Sequence, residues 1–210
     1  MPNQIQNIPY RSTRPALNDV NDVYPFQSTP TISGSVTEYA AALGSRIWVD
    51  GSPSGVRYDS AVGTLYGGEY QYVQTFLTST AAPAVGQPAA WAWDQANAAF
   101  ESYIVTPDTN SAIRTGRFAG VYINALTKGQ YGWIQVTGKA SVLFKNGLTA
   151  ATPADGDMIV IDSGTGLADD PTQSGSPTYA TLKAAIGTAI GAPVTNQLNL
   201  VLLRPVNFVT

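Results

Sequence analysis

The chain of 210 residues has a net charge of −3, and 12% of its residues are charged, 44% hydrophobic and 10% aromatic. It contains no cysteine and no histidine, which excludes disulfides, Ser-His-Asp or Cys-His catalysis, and zinc sites that use histidine. A disordered chain would combine high net charge with few aromatic residues. The composition therefore indicates a folded protein whose neutral polar surface packs against neighbours at little desolvation cost.

Patterns for secretion and for membrane insertion are missing from the sequence. The N-terminus has no basic stretch followed by an apolar one, as a secretory signal would have. No apolar run reaches the roughly 18 residues that cross a bilayer. We therefore expect a soluble, non-secreted protein.

Residues 1–30 predict an extended N-terminal arm, and residues 31–210 a β domain. The prolines of the arm are Pro2, Pro9, Pro15, Pro25 and Pro30. Because proline fixes φ and lacks an N–H donor, this stretch favours neither a helix nor a sheet ladder. Tyr10, Tyr24 and Phe26 give the arm apolar groups to bury, so we expect it to lie on a neighbouring copy or on a larger surface.

The segment from 31 to 105 mixes ambiguous and clear patterns. Residues 37–43, followed by Gly44, are compatible with a short helix that ends at glycine, and the conformation of 31–60 stays open. Residues 46–50 predict a strand that leads into a turn at 51–55. Further strands are predicted at 69–77, 89–93 and 102–105, with one helical turn at 95–100.

The centre of the chain predicts an antiparallel meander. Residues 118–123, 131–136 and 140–144 are rich in β-branched and aromatic residues, and glycine-bearing turns separate them. Trp133 and Phe144 bring large apolar surfaces to these short strands. We therefore expect the meander to be the core that stabilises the fold.

After the meander, the sequence predicts a strand at 157–161, a Gly/Ser/Asp/Pro loop at 163–177 and a closing strand pair at 186–190 and 198–203. Residues 179–185 permit a helix, and Pro205 ends the last strand. The predicted fold class is all-β: a small antiparallel β-barrel or sandwich built on a meander, with an extended N-terminal arm.

Two pairs of similar segments favour an internal duplication. Gly68-Glu-Tyr-Gln-Tyr-Val-Gln74 resembles Gly129-Gln-Tyr-Gly-Trp-Ile-Gln135, and Thr80-Ala-Ala-Pro-Ala-Val-Gly86 resembles Thr149-Ala-Ala-Thr-Pro-Ala-Asp-Gly156. Because both pairs occur in the same order, we favour a duplicated hairpin unit at 68–105 and 129–161. The alternative is chance recurrence of Gly-x-Tyr and Ala-Pro-Ala in a chain of low charge.

Acidic residues are the candidates for metal binding or catalysis. The carboxylates that a calcium ion would use belong to Asp155, Asp157, Asp169 and Asp170. The spacing of an EF-hand is missing, and Asp-Gly before a strand is usually a turn. Asp155 with Asp157, or Glu69 with Glu101, are pairs of the kind that glycosidases use, but any two acids can be paired in this way. We therefore expect no catalytic residue, no cofactor and no metal ion.

Alternating aromatic residues offer a second candidate site. They are Tyr66, Tyr70, Tyr72, Trp91, Trp93, Tyr131 and Trp133. Exposed rings of this kind form a platform on which sugars stack, whereas aromatic residues on strands more often belong to a core or a subunit interface.

Charge is distributed unevenly along the chain. Arg114, Arg117, Lys128, Lys139 and Lys145 fall in a stretch without acids, and the next 37 residues hold aspartates but no base. This favours electrostatic complementarity with a neighbour, such as another copy, although lysines in a solvated meander also protect strand edges. The predicted interface residues are Tyr10, Arg11, Arg14, Tyr24, Phe26, Arg117, Lys128 and Lys139. Nucleic-acid binding is not expected, because the chain is acidic overall and lacks a basic stripe.

The run Phe118-Ala-Gly-Val-Tyr-Ile-Asn-Ala-Leu-Thr-Lys-Gly-Gln-Tyr-Gly-Trp-Ile-Gln-Val-Thr-Gly-Lys-Ala resembles the head decoration (cement) proteins of tailed bacteriophages. Gly156-Asp157, Ile186-Gly187-Thr188-Ala189 and the apolar strand at 198–203 are similar to the loop and the two later strands of those proteins. The similarity covers roughly residues 68–204, and residues 1–60 extend beyond it.

The resemblance implies a virion structural protein without enzymatic activity, made in the host cytoplasm and placed on the outer surface of the head. Such a protein binds the major capsid protein, bridges neighbouring capsomers and stabilises the shell. On the capsid it would form a homo-oligomer, a dimer or a trimer, with no nucleic-acid or membrane partner. The alternative is a carbohydrate- or receptor-binding virion surface domain that uses exposed Tyr and Trp side chains.

Overall fold

The computed structural model describes residues 43–49, 66–76, 82–94, 99–108, 114–149, 154–170 and 185–203. The predicted arm at 1–30 and the predicted turn at 51–55 lie outside these ranges. Of the predicted helix at 37–43 and the helix-permissive stretch 179–185, only the last residue of each is described. The described residues form eleven strands and no helix, which confirms the predicted all-β class.

Six strands form the first sheet, and five of them close into a barrel. They are β1 (Arg46–Val49), β2 (Gly68–Thr75), β3 (Pro88–Asp94), β4 (Ala99–Thr106), β5 (Arg114–Tyr122) and β6 (Tyr131–Gln135). Their order is β1-β2-β4-β3-β5-β6, and β6 also pairs with β2, so the ring from β2 through β6 is closed. Only the pairing of β2 with β4 in this ring is parallel. β1 is added to the ring through its pairing with β2.

The other five strands form the second sheet, which closes in the same way. They are β7 (Gly138–Leu143), β8 (Met158–Ile161), β9 (Ala168–Asp169), β10 (Ala185–Ile190) and β11 (Leu198–Leu203). Their order is β7-β11-β10-β8-β9, with antiparallel pairing. A parallel bridge between Phe144, directly after β7, and Ala168 in β9 completes the ring. We call these two rings the first barrel and the second barrel.

The predicted meander is wrong in its third strand. β5 and β6 form the expected antiparallel pair, but β7 belongs to the second sheet and pairs with β11. The physical reason is that β6 has no edge left, because β5 and β2 occupy both of its sides. The chain therefore leaves the first barrel and begins the second at Gly138, where φ is 86°. A Cβ at Gly138 would collide with the carbonyl oxygen of Gly67, so this crossing depends on glycine.

The other predicted strands are present, with small shifts at their ends. The helical turn predicted at 95–100 is wrong at its end, because Ala99 and Phe100 belong to β4, while residues 95–98 lie outside the described part. The loop predicted at 163–177 contains the two-residue strand β9, which is too short to show alternation in the sequence. β10 and β11 form the predicted closing pair.

The two barrels have the same strand order, directions and register. β2, β3, β4, β5 and β6 hold the positions in the first ring that β7, β8, β9, β10 and β11 hold in the second. Cross-strand partners correspond too: Tyr122–Ile134 and Ile134–Gln71 match Ala189–Val201 and Val201–Ala140. Likewise, Thr75–Val105 and Val105–Trp91 match Phe144–Ala168 and Ala168–Ile161. The chain therefore contains one strand arrangement twice.

Turn 84–87, which precedes β3, is held by three hydrogen bonds. The amide of Gly86 donates to the carbonyl of Tyr122 at 2.8 Å, and the amide of Tyr122 donates back to Gln87 at 3.0 Å. The Gln87 side chain accepts a hydrogen bond from the amide of Ala84 at 3.1 Å. Gly86 has a φ of 78°, which glycine adopts without steric cost.

Turn 154–157, which precedes β8, repeats these bonds in the second barrel. The amide of Gly156 donates to the carbonyl of Ala189 at 3.0 Å, and the amide of Ala189 donates back to Asp157 at 2.8 Å. The Asp157 carboxylate accepts from the amide of Ala154 at 2.7 Å. Gly156 has a φ of 86°, so the two turns share their hydrogen bonds and the conformation of their glycine.

The repeated unit runs from β2 to β6 and again from β7 to β11. Of the similar sequence segments, the pair 80–86 and 149–156 ends on these corresponding turns. The segments 68–74 and 129–135 instead cover β2 and β6, which are hydrogen-bonded neighbours within the first barrel. A sequence duplication with the bounds 68–105 and 129–161 stays a prediction.

Each barrel has a core built from corresponding positions. The first core contains Val73, Ala89, Val105, Ala119, Ile134 and Val136, and the second contains, in the same order, Val142, Ile159, Ala168, Ile186, Val201 and Leu203. Trp133 and Phe144 are 2% and 0% exposed, as expected for core residues. Ala90 and Val121 of the first barrel pack into the second core. The two barrels therefore share a buried apolar boundary.

Candidate interaction surfaces

Six large hydrophobic side chains in the described ranges are exposed, and they fall into two groups. Leu43, Trp48 and Tyr103 lie on or next to β1 and β4, and we call them the β1 group. Ile190, Val194 and Leu198 lie on the β10–β11 hairpin, and we call them the hairpin group. Sequence reasoning missed both groups, because a single apolar residue in a strand or turn gives no chemical signal.

In the β1 group, Tyr103 holds the chain at Gly44. A Cβ at Gly44 would fall within the Tyr103 ring, so the ring and the glycine backbone are in direct contact. Tyr103 has a φ of 61°, and this left-handed conformation costs a non-glycine residue about 1–2 kcal/mol. Such strain persists where surrounding contacts hold it. The contact with Gly44 therefore fixes the start of β1 against the first barrel.

Trp48 gives the β1 group its largest exposed surface. It lies in β1 opposite Glu69 of β2, and 54% of it is exposed. Arg46 and Glu69 form an ion pair of 3.3 Å, with side chains 56% and 28% exposed. Because exposed ion pairs contribute at most about 1 kcal/mol, this pair adds little to the four-residue backbone pairing that holds β1 on β2.

The hairpin group projects from a turn that is already ordered. The side chain of Asn199 accepts from the amide of Val194 at 2.9 Å and donates to the carbonyl of the same residue at 2.8 Å. Asn196 has a φ of 55°, and the corresponding residue of the first barrel, Gly129, has a φ of 75°. A partner that binds Val194 and Leu198 therefore pays little entropy to order the loop.

The hairpin group lies on a sheet face of the second barrel, and the corresponding face of the first barrel is buried. Ile123 and Tyr131 correspond by register to Ile190 and Leu198. The first two residues are 5% and 9% exposed, whereas Ile190 and Leu198 are 39% and 48% exposed. The fold can therefore bury a side chain at each of these two positions. The exposed part of this hairpin is therefore a candidate contact surface.

The predicted basic interface residues lie on three separate elements. Arg117 lies in β5, Lys128 in the exposed turn before β6, and Lys139 in β7. The Lys139 Nζ atom lies 4.9 Å from the centre of the Tyr66 ring, a cation–π geometry that joins the second barrel to the chain that leads into β2. The role of these three residues in docking stays a prediction. Tyr10, Arg11, Arg14, Tyr24 and Phe26 lie outside the described residues.

Part of the basic stretch is neutralised within the chain. The Lys145 Nζ atom lies 2.8 Å from Asp169 and 3.3 Å from Asp162. Burial opposes the charge on Lys145, but the two carboxylates outweigh it and raise the pKa of this lysine. Burial likewise opposes the charge on Asp162, but bonds from Thr165 and Lys145 lower its pKa. Part of the uneven charge of the sequence is therefore explained by ion pairs within the chain.

Asp170 is a buried carboxyl group beside two other acids. It is 0% exposed. While Asp170 and Asp157 are both ionised, neither oxygen of the Asp170 carboxylate has a hydrogen-bond partner. Burial and then the charge of Asp157 raise the pKa of Asp170 to about 6, and a bond between these two carboxyls requires a proton on one of them. The first barrel has Gln87 and Pro107 at the corresponding places, so the fold does not need these acids.

The described acids of the pairs considered from the sequence make structural contacts. The Asp155 carboxylate accepts from the amide of Gly191 at 2.8 Å, and Asp157 accepts from the amide of Ala154. Glu69 pairs with Arg46, while the side chain of Glu101 lies outside the described part. In the described ranges, no group of three or more acidic side chains has the arrangement of a metal site.

Of the seven aromatic residues considered as a sugar platform, five are buried and Trp91 is partly buried, while the side chain of Trp93 lies outside the described part. Tyr70, Tyr72 and Trp133 are 0%, 0% and 2% exposed, and Tyr66 and Tyr131 are each 9% exposed. The Tyr72 ring lies 5.2 Å from that of Trp133 and 6.3 Å from that of Tyr131. These rings therefore form an apolar layer of the first barrel rather than an open surface.

No helix in the described ranges is long and apolar enough to cross a membrane. No protein-family model matches the chain, and no curated protein matches it. The features of the described chain that bear on function are therefore the repeated barrel and the β1 and hairpin groups.

Proposed function

We propose that this chain is a virion structural protein that binds the outer surface of an assembled phage capsid and bridges neighbouring capsomers. The observation that carries the proposal is the presence of one exposed apolar group on each of two barrels that share a buried boundary. Two contact sites held on one body can engage two neighbouring subunits at the same time. The resemblance of residues 68–204 to head decoration proteins supplies the partner, the major capsid protein.

Bridging of this kind stabilises a shell by mass action. A protein that binds the assembled lattice but not the free subunits favours the lattice by about 2.7 kcal/mol per site when its concentration is a hundred times its Kd. After one group has bound, the second contact forms at a high effective concentration. A neutral polar surface around the apolar groups lowers the desolvation cost of both contacts.

Co-sedimentation with undecorated capsids tests this function. The wild type should pellet with the capsids and raise the temperature at which they break open. Trp48→Ser weakens the β1 group and Val194→Ser weakens the hairpin group. Each variant should still bind through the other group, with affinity reduced about tenfold, and should protect the capsid far less than the wild type does.

Thr195→Ala, next to Val194 on the same exposed turn, is the matched control and should bind and protect like the wild type. Failure of the wild type to pellet would refute capsid binding. Full protection by both Trp48→Ser and Val194→Ser would leave binding intact but refute bridging by the two groups.

The alternative is a carbohydrate- or receptor-binding virion surface domain. In the described part of the chain, the exposed aromatic residues that remain for it are Trp48 and Tyr103. A glycan array tests this function directly. A signal that Trp48→Ala abolishes would favour it over capsid decoration.

A further inference from the structure

The contacts of turn 84–87 show which kind of partner fits a turn of this shape. The carbonyl oxygen of Gly86 accepts a hydrogen bond from the amide of Leu143 in β7 at 2.7 Å. A Cβ at Gly86 would collide with the side chain of Leu198 and would lie 3.2 Å from the carbonyl oxygen of Ser141. Glycine thus lets a strand approach the turn closely. This contact is one of those that join the first barrel to the second.

Turn 154–157 has the same internal hydrogen bonds but a different environment. Ala154, Asp155 and Gly156 are exposed. No atom of the described residues lies within 4 Å of the place where a Cβ on Gly156 would be, whereas Gly86 is covered by a strand and a leucine. The second barrel therefore presents, ready formed, the turn that the first barrel uses for docking.

We infer that turn 154–157 binds an edge β-strand of the capsid partner, and that this strand carries an aliphatic and a basic side chain. The inference rests on the proposed capsid binding and names the surface through which it occurs. The backbone contact is the one seen at Gly86, in which the glycine carbonyl accepts an amide of the strand.

The side chains around the turn specify the strand. Leu198 covers Gly86, so an aliphatic side chain fits over Gly156. Val85 of the docked turn corresponds to the exposed Asp155, whose carboxylate the amide of Gly191 holds at the surface. An acid at the rim of a contact favours a basic residue on the partner.

A second copy of the chain is a poor occupant, because its equivalent strand edges are filled. The edge of β7 already receives Gly86 through Leu143. The corresponding edge of β2 receives β1: Gly44 donates to the carbonyl of Tyr72 at 2.8 Å, and the amide of Tyr72 donates to Ser45 at 2.9 Å. The occupied edges in the described part of the chain therefore favour a strand of another protein as the occupant.

Two substitutions and one control in the full-length chain test the inference with undecorated capsids. Gly156→Val places a branched side chain where the strand would pass, and capsid affinity should fall about tenfold or more. Gly147→Val is the matched control, because Gly147 also has a positive φ, of 73°, and also has open space around its Cβ position. Asp155→Lys should weaken binding about tenfold by charge reversal, without touching the backbone of Gly156.

The outcomes separate this inference from the proposed function. If the wild type does not bind capsids, the proposed function fails, and the inference fails with it. If the wild type binds and Gly156→Val binds as well as Gly147→Val, only the inference is wrong. Sedimentation equilibrium without capsids gives the third check: a wild-type oligomer that Gly156→Val dissociates would identify the occupant as a second copy and overturn the inference.

Discussion

At the scale of single residues, one backbone conformation occurs in both barrels with very different side chains. Tyr103 lies two residues before Val105 with a φ of 61°, and Gly166 lies two residues before Ala168 with a φ of 70°. Glycine adopts this conformation freely, whereas tyrosine is strained by it. The sequence gives no warning of the strain, because tyrosine is a favourable strand residue. Only the comparison of the two barrels shows that the backbone is set by the fold and that the ring serves the contact with Gly44.

The Asp157–Asp170 pair makes the stability of the second barrel depend on pH. The folded pKa of Asp170, about 6, lies above its ordinary value of 3.8. The folded protein therefore holds this proton more tightly, and the stability that the proton contributes is lost as the pH rises through the folded pKa. We expect the free energy of unfolding to fall by up to about 3 kcal/mol between about pH 4 and pH 7.

Urea denaturation at a series of pH values measures this loss. Asp170→Asn should remove most of the fall, while Asp155→Asn, an exposed acid of turn 154–157, should retain it. The lowered pKa of Asp162 and the raised pKa of Lys145 act at more acidic and more alkaline pH, so they leave this window clear. An equal fall in the wild type and in Asp170→Asn would contradict the prediction.

At the scale of elements, the two barrels take the aromatic residue of one corresponding pair of positions from different places in the fold. In the first barrel β5 supplies Tyr122 and β2 supplies Thr75, whereas the corresponding residues of the second barrel are Ala189 and Phe144. Each barrel thus has one aromatic residue and one small residue at this pair of positions. Cores tolerate such exchanges when their total volume is kept. Burial raises the pKa of Tyr122 above its ordinary value, as expected for a phenol enclosed in this way.

We predict that the first barrel can adopt the pair of residues that the second barrel has at these two positions. Tyr122→Ala alone should leave a cavity and cost about 3–5 kcal/mol, and Thr75→Phe alone should overpack the core and cost about 1–3 kcal/mol. The double variant reproduces the pair of the second barrel, so it should be more stable than the sum of the single effects by at least about 1 kcal/mol. Urea denaturation of the four proteins completes the cycle. Additive costs would show that the two positions are independent.

The sequence predicted the strands better than their partners. Alternation and β-branched residues locate β2, β6 and β11, because these features arise from side chains facing a core. The place of β7 was missed, because the short link after β6 resembles a hairpin turn and the choice of partner is decided by residues far away in the chain. The sequence indicated an acidic turn at 155–157 but not its proposed role in binding, and it missed the hairpin group, whose exposure depends on the packing of the folded chain.

At the scale of the whole molecule, the shared boundary should make the barrels unfold together. Ala90 and Val121 of the first barrel belong to the second core, so opening one barrel exposes apolar surface of the other. The tryptophans, Trp48, Trp91, Trp93 and Trp133, all precede the second barrel. Tryptophan fluorescence therefore reports on the first barrel alone, while far-ultraviolet circular dichroism reports on both. We predict coincident urea transitions with the two probes, and separated midpoints would mean that each barrel unfolds by itself.

The closure of both rings affects how the protein behaves when many copies lie close together. A strand at the margin of an open sheet offers unpaired N–H and C=O groups to any other chain, and proteins that expose such margins are prone to aggregate. Here the ten strands of the two rings, from β2 to β11, have neighbours on both sides over at least part of their length. These ten strands therefore have little tendency to join strand to strand when many copies crowd together, and among the strands of the described residues only β1, outside the rings, keeps a free side.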